Sequence, residues 1–245
     1  MGILWAVDLG LIGYAECDSL QRRLMAARSA GEIEDTLLLL EHPPVITLGT
    51  AGGEESILAD PAEIERAGVE VFRTDRGGNV TYHGPGQLVG YPIFDLREHG
   101  KDVHLFLRNM EQAVIDCLAD FGVEGHAVPG YTGVWVGDEK ICSIGIAVRR
   151  WITYHGFALN VSPNFEHWAL IHPCGLVDRR VTSLERLIGH NPGMDAVKDS
   201  IVQAFSKVFD LEAAEMDAAR SVGVWENGRT NTEHPTPNTE HRFSR

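Results

Sequence analysis

Cys174 is the first residue of this chain whose surroundings suggest chemistry. It stands in the segment Ile171-His172-Pro173-Cys174-Gly175-Leu176, where neither helical periodicity nor strand alternation gives it a place in a core. A cysteine in a loop bounded by Pro and Gly is a candidate nucleophile, and the residues alone leave a reactive and a structural role equally open. Because an ordinary thiol is only about 3% thiolate at pH 7, a nucleophilic role requires a neighbouring base or cation.

The candidate partners of this thiol are Lys140, His172, His83 and His155. Lys140 opens the strand-like run from Lys140 to Val148, and strict alternation would send Lys140, Cys142, Ile144 and Ile146 to one face of a sheet. Two interpretations of Lys140 remain open at this point: a lysine placed for function, or a solvated lysine at a hairpin end.

Two further possibilities follow from the same residues. Cys142 is a rival nucleophile, although a packed strand cysteine is the more ordinary interpretation. The pattern His172-x-Cys174 resembles half of a metal site, but no second Cys or His pair has ligand spacing and no H-E-x-x-H occurs. We therefore expect no metal.

A glycine-rich stretch runs from Arg76 to Gln87 and contains four glycines and one proline. Val80-Thr81-Tyr82 favours a strand, Gly84-Pro85-Gly86 favours a tight turn, and Gln87 to Phe94 favours a second strand, so the stretch predicts a β-hairpin. It is not a phosphate-binding loop, because it matches neither G-x-x-x-x-G-K-[ST] nor G-x-G-x-x-G before a helix.

The whole chain has the composition of a globular protein, with 245 residues, 44% hydrophobic and 23% charged. A net charge of −14 argues against non-specific binding to nucleic acid or to an anionic membrane. Four cysteines without C-x-x-C, and the lack of a basic apolar leader, favour a reducing, cytoplasmic setting. We expect one domain over residues 1–225 and a disordered polar tail over 226–245.

Strand-like and helix-like segments alternate irregularly, and several neighbouring strands are joined by hairpin turns. Helical periodicity covers 13–29 and the stretch from Asp102 to about Phe121, with Asp102 as the N-cap. Strand patterns cover 3–9, 36–40, 45–49, 69–73, 133–136, 140–149 and 152–161. The predicted fold class is α+β (mixed α/β), with a mixed β-sheet packed against helices.

Four segments together carry a resemblance to a known family. They are Glu41 to Gly49, the glycine-rich stretch 76–87, Lys140 to Gly145, and His172 to Gly175. In this order and at these intervals the chain resembles the lipoyl/octanoyl transferases, that is, octanoyl-[acyl-carrier-protein]:protein N-octanoyltransferases. The resemblance spans roughly residues 3–210, and it implies the fold of the biotin and lipoate protein ligases.

The resemblance also implies roles for particular residues. Cys174 matches the nucleophile that carries the acyl thioester, and Lys140 matches the lysine that lowers the thiol pKa and handles protons. Three segments match the substrate-binding positions, which are Arg76, Gly77, Gly78, Asn79, Val80, Thr81, Tyr82, His83, Ser143, Ile144, Gly145, Gly156, Phe157 and Ala158. Phe157 departs from the smaller aliphatic residue of many members, which leaves the acyl-chain length open.

The glycines of these segments are expected to leave room for an acyl chain. The implied donor is octanoyl-acyl-carrier protein. The implied acceptors are lipoyl domains of 2-oxoacid dehydrogenase E2 subunits and the glycine cleavage H protein. We expect no cofactor, no nucleic-acid or membrane partner, and a monomer.

An acidic carrier would need a local basic surface, for which Arg149-Arg150 and Arg179-Arg180 with Arg186 are candidates.

Three other functions remain as alternatives. An ATP-dependent lipoate or biotin protein ligase would share the fold but needs no nucleophilic cysteine. A non-catalytic acyl-binding protein would not need both Cys174 and Lys140. A Cys-His thioesterase would use water as the acyl acceptor in place of a lysine.

Overall fold

The computed structural model describes residues 2–171 and 180–215. Cys174, His172 and Arg179 lie outside these described residues, as does the tail 226–245. Within the described ranges, no helix is long and apolar enough to cross a membrane.

Eleven strands and five α-helices make up the described fold. The strands are β1 (Gly2–Leu11), β2 (Asp35–Glu41), β3 (Val45–Leu48), β4 (Glu70–Arg73), β5 (Val80–His83), β6 (Gln87–Ile93), β7 (His126–Val128), β8 (Tyr131–Val136), β9 (Glu139–Arg149), β10 (Ile152–Asn160) and β11 (Leu211–Glu215). The helices are α1 (Tyr14–Ala30), α2 (Pro61–Arg66), α3 (Val103–Asp120), α4 (Leu184–Ile188) and α5 (Met194–Phe209). Short 3-10 turns cover Glu54–Ser56 and Glu166–Leu170.

The strands form two mixed sheets. The large sheet has the order β11-β1-β2-β6-β10-β9-β8-β7, with β1 parallel to β2 and β11 and the other neighbours antiparallel. The small sheet has the order β4-β3-β5, with β3 parallel to β4 and antiparallel to β5. The mixed-sheet prediction is confirmed.

The predicted hairpin of the glycine-rich stretch is wrong in its pairing, although both strands and the turn are present. β5 pairs with β3 in the small sheet, whereas β6 pairs with β2 and β10 in the large sheet. A strand has two edges, and both edges of β6 are taken, so β5 has no free edge of β6 to join. The turn at 84–86 therefore carries the chain from one sheet to the other.

Helices cover both faces of the large sheet. Helices α3 and α5 pack on one face, where Phe106, Met110 and Cys117 of α3 meet Phe205 of α5 in a single apolar core. Helix α1 packs on the opposite face through Cys17, Leu20 and Leu24. Cys17 and Cys117 are fully buried, each on the apolar face of its helix.

Helix α3 begins after the N-cap residue that the sequence predicts, Asp102. The Asp102 carboxylate accepts from the backbone N–H groups of His104 and Leu105, which satisfies two donors at the helix start. This cap fixes where α3 begins, and its first two turns then carry Val103 and Leu107 to the cavity described next.

Candidate active site

A cavity of about 400 Å³ is lined by residues from both sheets and from the starts of α1 and α3. Its volume falls within the range of about 300–1,000 Å³ typical of small-molecule sites. The lining combines apolar side chains with a few buried polar groups, among them Arg76, His83 and Lys140. Such a composition suits a ligand that is largely apolar with one reactive polar end.

The structure brings nearly all the predicted site residues to this cavity. The residues of the prediction that line it are Arg76, Gly77, Gly78, Asn79, Val80, Thr81, His83, Lys140, Ser143, Ile144, Gly145, Gly156, Phe157 and Ala158. Tyr82 is the exception among the described ones, because its side chain packs into a separate core. Its hydroxyl meets His167 Nδ1 at 2.8 Å, and its ring packs against Trp168 in the core beneath the small sheet.

Lys140 reaches the cavity because of a bulge in β9. Val134 pairs with Cys142 and Trp135 pairs with Lys140, so Ile141 is an extra residue in this strand. The bulge puts Lys140 on the face of Ser143, opposite to the face of Cys142. The prediction that Lys140 shares a face with Cys142, Ile144 and Ile146 is therefore wrong.

The environment of Lys140 contradicts the solvated-hairpin interpretation, because this side chain is only 8% exposed. Its Cε lies 2.6 Å from where a Cβ on Gly133 would stand, so only glycine at 133 leaves room for this path. Its Nζ lies 5.4 Å from the centre of the Trp135 ring, which is a cation–π distance.

Cys142 is excluded as the rival nucleophile by its position. It is fully buried in the core between the large sheet and α3, and it does not line the cavity. Burial raises the pKa of its thiol well above the ordinary range, so a thiolate there is strongly disfavoured.

Cys174 itself lies outside the described residues, but the chain on both sides of it is attached to the fold. Before it, Ile171 forms a bridge with Ile57. After it, the carbonyl of Arg180 accepts from the Lys140 N–H at 2.9 Å, and the Thr182 N–H donates to the Lys140 carbonyl at 3.0 Å. Arg180 and Thr182, which follow the undescribed residues, are therefore held against the backbone of Lys140.

Arg76 organises the glycine-rich loop that forms one wall of the cavity. Its guanidinium donates to the carbonyls of Thr47, Gly77 and Asn79 and to the Thr47 hydroxyl, at 2.8 to 3.2 Å. A Cβ on Gly49 would lie 2.8 Å from Nη1 of this guanidinium and 2.4 Å from the Gly78 carbonyl. The loop therefore closes tightly over the end of β3.

Two of the predicted acyl-binding glycines are required by the protein's own backbone. A Cβ on Gly145 would lie 2.6 Å from the Gly77 carbonyl, where the Gly77 N–H donates to the Ile146 carbonyl. A Cβ on Gly156 would lie 2.1 Å from the Gly90 carbonyl. Close approach of neighbouring backbone segments is thus a second reason for these two glycines, beside the predicted room for an acyl chain.

Phe157 narrows the cavity from the side of the α3–α5 core. Its ring is 1% exposed and stacks on Phe205 with centroids 5.6 Å apart. A Cβ on Gly90 would lie 2.2 Å from this ring, so glycine at 90 is what admits an aromatic residue at 157.

Three buried histidines lie around the cavity, and burial holds all three neutral. Burial, with a smaller contribution from His42, lowers the pKa of His83 to about 3, and burial lowers the pKa of His42 to about 4. The pKa of His155 is also lowered by burial, although Asp75 opposes the shift. No imidazolium is thus available near neutral pH from these three residues.

Several lining residues escaped the sequence analysis as members of the site. Tyr14 of α1, Tyr91 of β6, and Val103 and Leu107 of α3 all line the cavity. Helical spacing predicted the buried face that holds Tyr14, but nothing local distinguishes a core position from a cavity wall. For His155, the sequence predicts only a candidate partner of the thiol. This histidine lines the cavity with φ 55°, and its Nε2 lies 3.0 Å from Asp75 Oδ1.

Comparisons with known proteins identify the family of this chain. The family model of the lipoyl protein ligase A/B catalytic domain matches residues 14–206. An octanoyltransferase of Caldicellulosiruptor saccharolyticus is 53% identical over 82% of this chain and 86% of its own length. An octanoyltransferase of Solibacter usitatus is 50% identical over 84% of this chain and 92% of its own length.

Among solved structures, lipoate-protein ligase A bound with ATP superposes with a TM-score of 0.71 at 18% identity, over 92% of this chain and 94% of that one. At this identity the likeness speaks for the fold, and it confirms the lipoate-ligase-like α+β architecture expected from the sequence. The family match, the identity to the two octanoyltransferases and the shared fold lead to one conclusion: the chain belongs to the lipoyl protein ligase A/B catalytic domain family.

Proposed function

We propose that this protein is an octanoyltransferase that passes an octanoyl group from a carrier-protein thioester to a lysine amine, through an acyl thioester on Cys174. The proposal rests first on Lys140, a buried cation that the β9 bulge turns into the cavity next to the point where the Cys174 segment rejoins the sheet. It draws further support from the relatives named octanoyltransferase.

In the first step an ammonium at Lys140 favours the Cys174 thiolate, since opposite charges stabilise each other in a desolvated site. The thiolate attacks the thioester carbonyl of octanoyl-acyl-carrier protein. A carbon–sulfur bond forms to Cys174, and the bond to the carrier's thiol breaks. The departing thiolate takes the proton from Lys140, which leaves the amine neutral.

In the second step the ε-amine of a lysine attacks the acyl-enzyme carbonyl. The new carbon–nitrogen bond displaces the Cys174 thiolate, and neutral Lys140 takes the proton that the amine loses. The acceptors we propose are lipoyl domains of 2-oxoacid dehydrogenase E2 subunits and the glycine cleavage H protein. An amide is more stable than a thioester, so the sequence runs downhill without ATP.

The apolar part of the cavity would hold the acyl chain. At about 0.8 kcal/mol per buried methylene, an eight-carbon chain contributes roughly 5 kcal/mol of binding free energy. Phe157 and Ile144, both at most 9% exposed, line the cavity on the side of the α3–α5 core. One methylene too many or too few would then change specificity by about 1–3 kcal/mol.

The test is incubation with octanoyl-acyl-carrier protein, followed by the intact mass of the enzyme. The wild-type protein should gain one octanoyl group, and Cys174→Ser should gain none. Cys142→Ser is the matched control, since it removes a thiol outside the cavity and should still form the adduct. If Cys174→Ser still forms the adduct and Cys142→Ser does not, the nucleophile is Cys142 and the proposal is wrong.

Lys140→Met tests the second half of the dyad. Without the ammonium, Cys174 should react with iodoacetamide only at higher pH than in the wild-type protein. If the pH dependence of labelling is the same in Lys140→Met and in the wild-type protein, Lys140 does not stabilise the thiolate. Transfer to a lipoyl domain should also proceed in ATP-free buffer, whereas an ATP requirement would favour the ligase alternative.

A further inference from the structure

A chain of buried side-chain amides runs from His83 to the residues that follow the Cys174 segment. His83 Nδ1 lies 2.8 Å from Gln87 Oε1, Gln87 Nε2 donates to Asn160 Oδ1 at 2.9 Å, and Asn160 Nδ2 donates to the Thr182 carbonyl at 3.0 Å. The three side chains are 6%, 1% and 3% exposed. We call His83, Gln87 and Asn160 the amide relay.

The direction of the amide relay is set by backbone carbonyls, which only accept hydrogen bonds. The Thr182 carbonyl requires the NH₂ group of Asn160, so Asn160 presents its oxygen to Gln87. Gln87 Nε2 also donates to the Tyr82 carbonyl at 3.2 Å, which fixes the Gln87 amide independently. Gln87 therefore presents its oxygen to His83, and the His83 proton lies on Nδ1.

The other ring nitrogen, His83 Nε2, is consequently a bare acceptor. It has no hydrogen-bond partner among the described residues, and it remains accessible to solvent. His155 Nδ1, in contrast, is buried without a partner. His83 lines the cavity, and Nε2 is the ring nitrogen that stays available to a ligand there. The rings of Tyr14 and His42 pack against His83 at 6.4 and 5.9 Å and hold its plane.

We propose that the amide relay orients the His83 ring so that Nε2 accepts a hydrogen bond from the incoming lysine amine in the second transfer step. This inference rests on the proposed octanoyl transfer. The acyl chain and its thioester carbonyl carry no hydrogen-bond donor, whereas the attacking amine brings N–H groups. His83 orients the amine without taking its proton, which goes to Lys140. Gln87 and Asn160 are positioning residues, because they act through His83.

His83→Asn separates the two transfer steps. The asparagine NH₂ can replace Nδ1 toward Gln87, but nothing replaces Nε2. Octanoylation of Cys174 should slow less than transfer does, because the lysine amine takes no part in the first step. Single-turnover transfer from the isolated acyl-enzyme to a lipoyl domain should slow about tenfold, the equivalent of roughly one hydrogen bond.

The outcomes of this experiment are distinct. If the wild-type protein forms no octanoyl adduct, the proposed function and this inference both fail. If His83→Asn is octanoylated normally and transfers at the wild-type rate, only the inference fails. Slowed octanoylation with normal transfer would also overturn it, since His83 would then serve the donor.

Gln87→Met tests the positioning role by spectroscopy. In wild-type protein labelled with ¹⁵N-histidine, His83 should carry its proton on Nδ1, and Gln87→Met should populate the Nε2–H tautomer and slow transfer. Gln112→Met is the control, because it changes an exposed glutamine of α3 that bonds Asp116. A wild-type Nε2–H tautomer, or a Gln87→Met variant with unchanged tautomer and unchanged transfer, would overturn the inference.

Discussion

At the scale of single residues, the molecule keeps several ionisable groups uncharged inside a polar cluster. His42 donates from Nδ1 to the Ile12 carbonyl at 2.7 Å, and its Nε2 lies 2.9 Å from the Tyr91 hydroxyl. Both bonds are made by a neutral ring with one fixed tautomer. Burial then makes protonation of such a ring costly, which links the cluster around the cavity to the pH dependence of folding.

His42→Asn should flatten the acid side of the stability profile. The unfolded chain binds a proton at His42 near pH 6.5, whereas burial lowers the pKa of His42 in the folded protein to about 4. Stability is therefore lost as the pH falls from about 6.5 toward 4, by up to about 1.4 kcal/mol per pH unit for this residue. The measurement is urea unfolding between pH 4.5 and 8.

The comparison uses the slope with pH, since His42→Asn also breaks the bond to Tyr91 and lowers stability at every pH. His190→Asn changes an exposed histidine and serves as the control. If the slope of His42→Asn equals that of the control, the acid sensitivity has another source.

At the scale of elements, the β9–β10 hairpin exposes a strained basic tip. Arg149 pairs with Ile152, which leaves a two-residue turn of Arg150 and Trp151 with φ of 53° and 70°. Turns with positive φ at both positions favour Asn-Gly, and a bulky L-residue there costs about 1–2 kcal/mol. Lys101, also at φ 54°, lies with Nζ 4.9 Å from the exposed Trp151 ring.

This tip lies at the end of the two strands that carry Ile146 and His155 to the cavity. Arg149 and Arg150 of this tip are exposed and stay candidates for the predicted docking surface. Arg186, whose guanidinium lies 3.5 Å from the centre of the Phe165 ring, is another candidate. We propose that the tip contacts the acidic carrier protein that brings the acyl group.

Arg150→Asn should raise stability and weaken the use of the carrier substrate at the same time. Asparagine tolerates positive φ, so the free energy of unfolding should rise by up to about 1 kcal/mol. Arg149→Asn is the matched control, because it removes the same charge from a strand residue and relieves no strain. Both variants should raise the KM for the carrier substrate at low salt. An unchanged KM for both would remove the tip from the docking surface.

At the scale of the whole molecule, the large sheet is completed by its last strand. β11 pairs in parallel with β1 from Gly2 to Ala6, so the C-terminal part of the described chain covers the N-terminal strand. A Cβ on Gly2 would lie 2.8 Å from the side chain of Leu211, which shows how closely the two strands pack. The boundary of the catalytic domain at residue 225 stays a prediction.

Two truncations test that boundary. Removal of residues 226–245 should leave the melting temperature and the rate of octanoyl transfer unchanged. Removal of residues 211–245 should lower the melting temperature by several degrees, because β1 would become an uncovered edge of the sheet. If the chain that ends at residue 225 has a lower melting temperature or a slower octanoyl transfer than the full chain, the domain extends beyond residue 225.

The sequence by itself determined the local structure and the identity of the site segments. Periodicity and capping predicted α1 and α3 with the Asp102 cap, and alternation predicted β8, β9 and β10 with their connecting turns. These features depend on residues within a few positions of one another, so the linear pattern contains their physical cause. The shared motifs likewise marked most of the residues that line the cavity.

Tertiary structure alone decided which strands pair and where key side chains point. The separation of β5 from β6 depends on β2 and β10 occupying both edges of β6. The bulge at Ile141 puts Lys140 on the same face of the sheet as Ser143, and it depends on the register of β9 with β8. The closeness of Gly145 to Gly77 and the amide relay from His83 to Thr182 likewise join residues far apart in the chain. Contacts at such distances are set by packing of the whole fold, which no local pattern encodes.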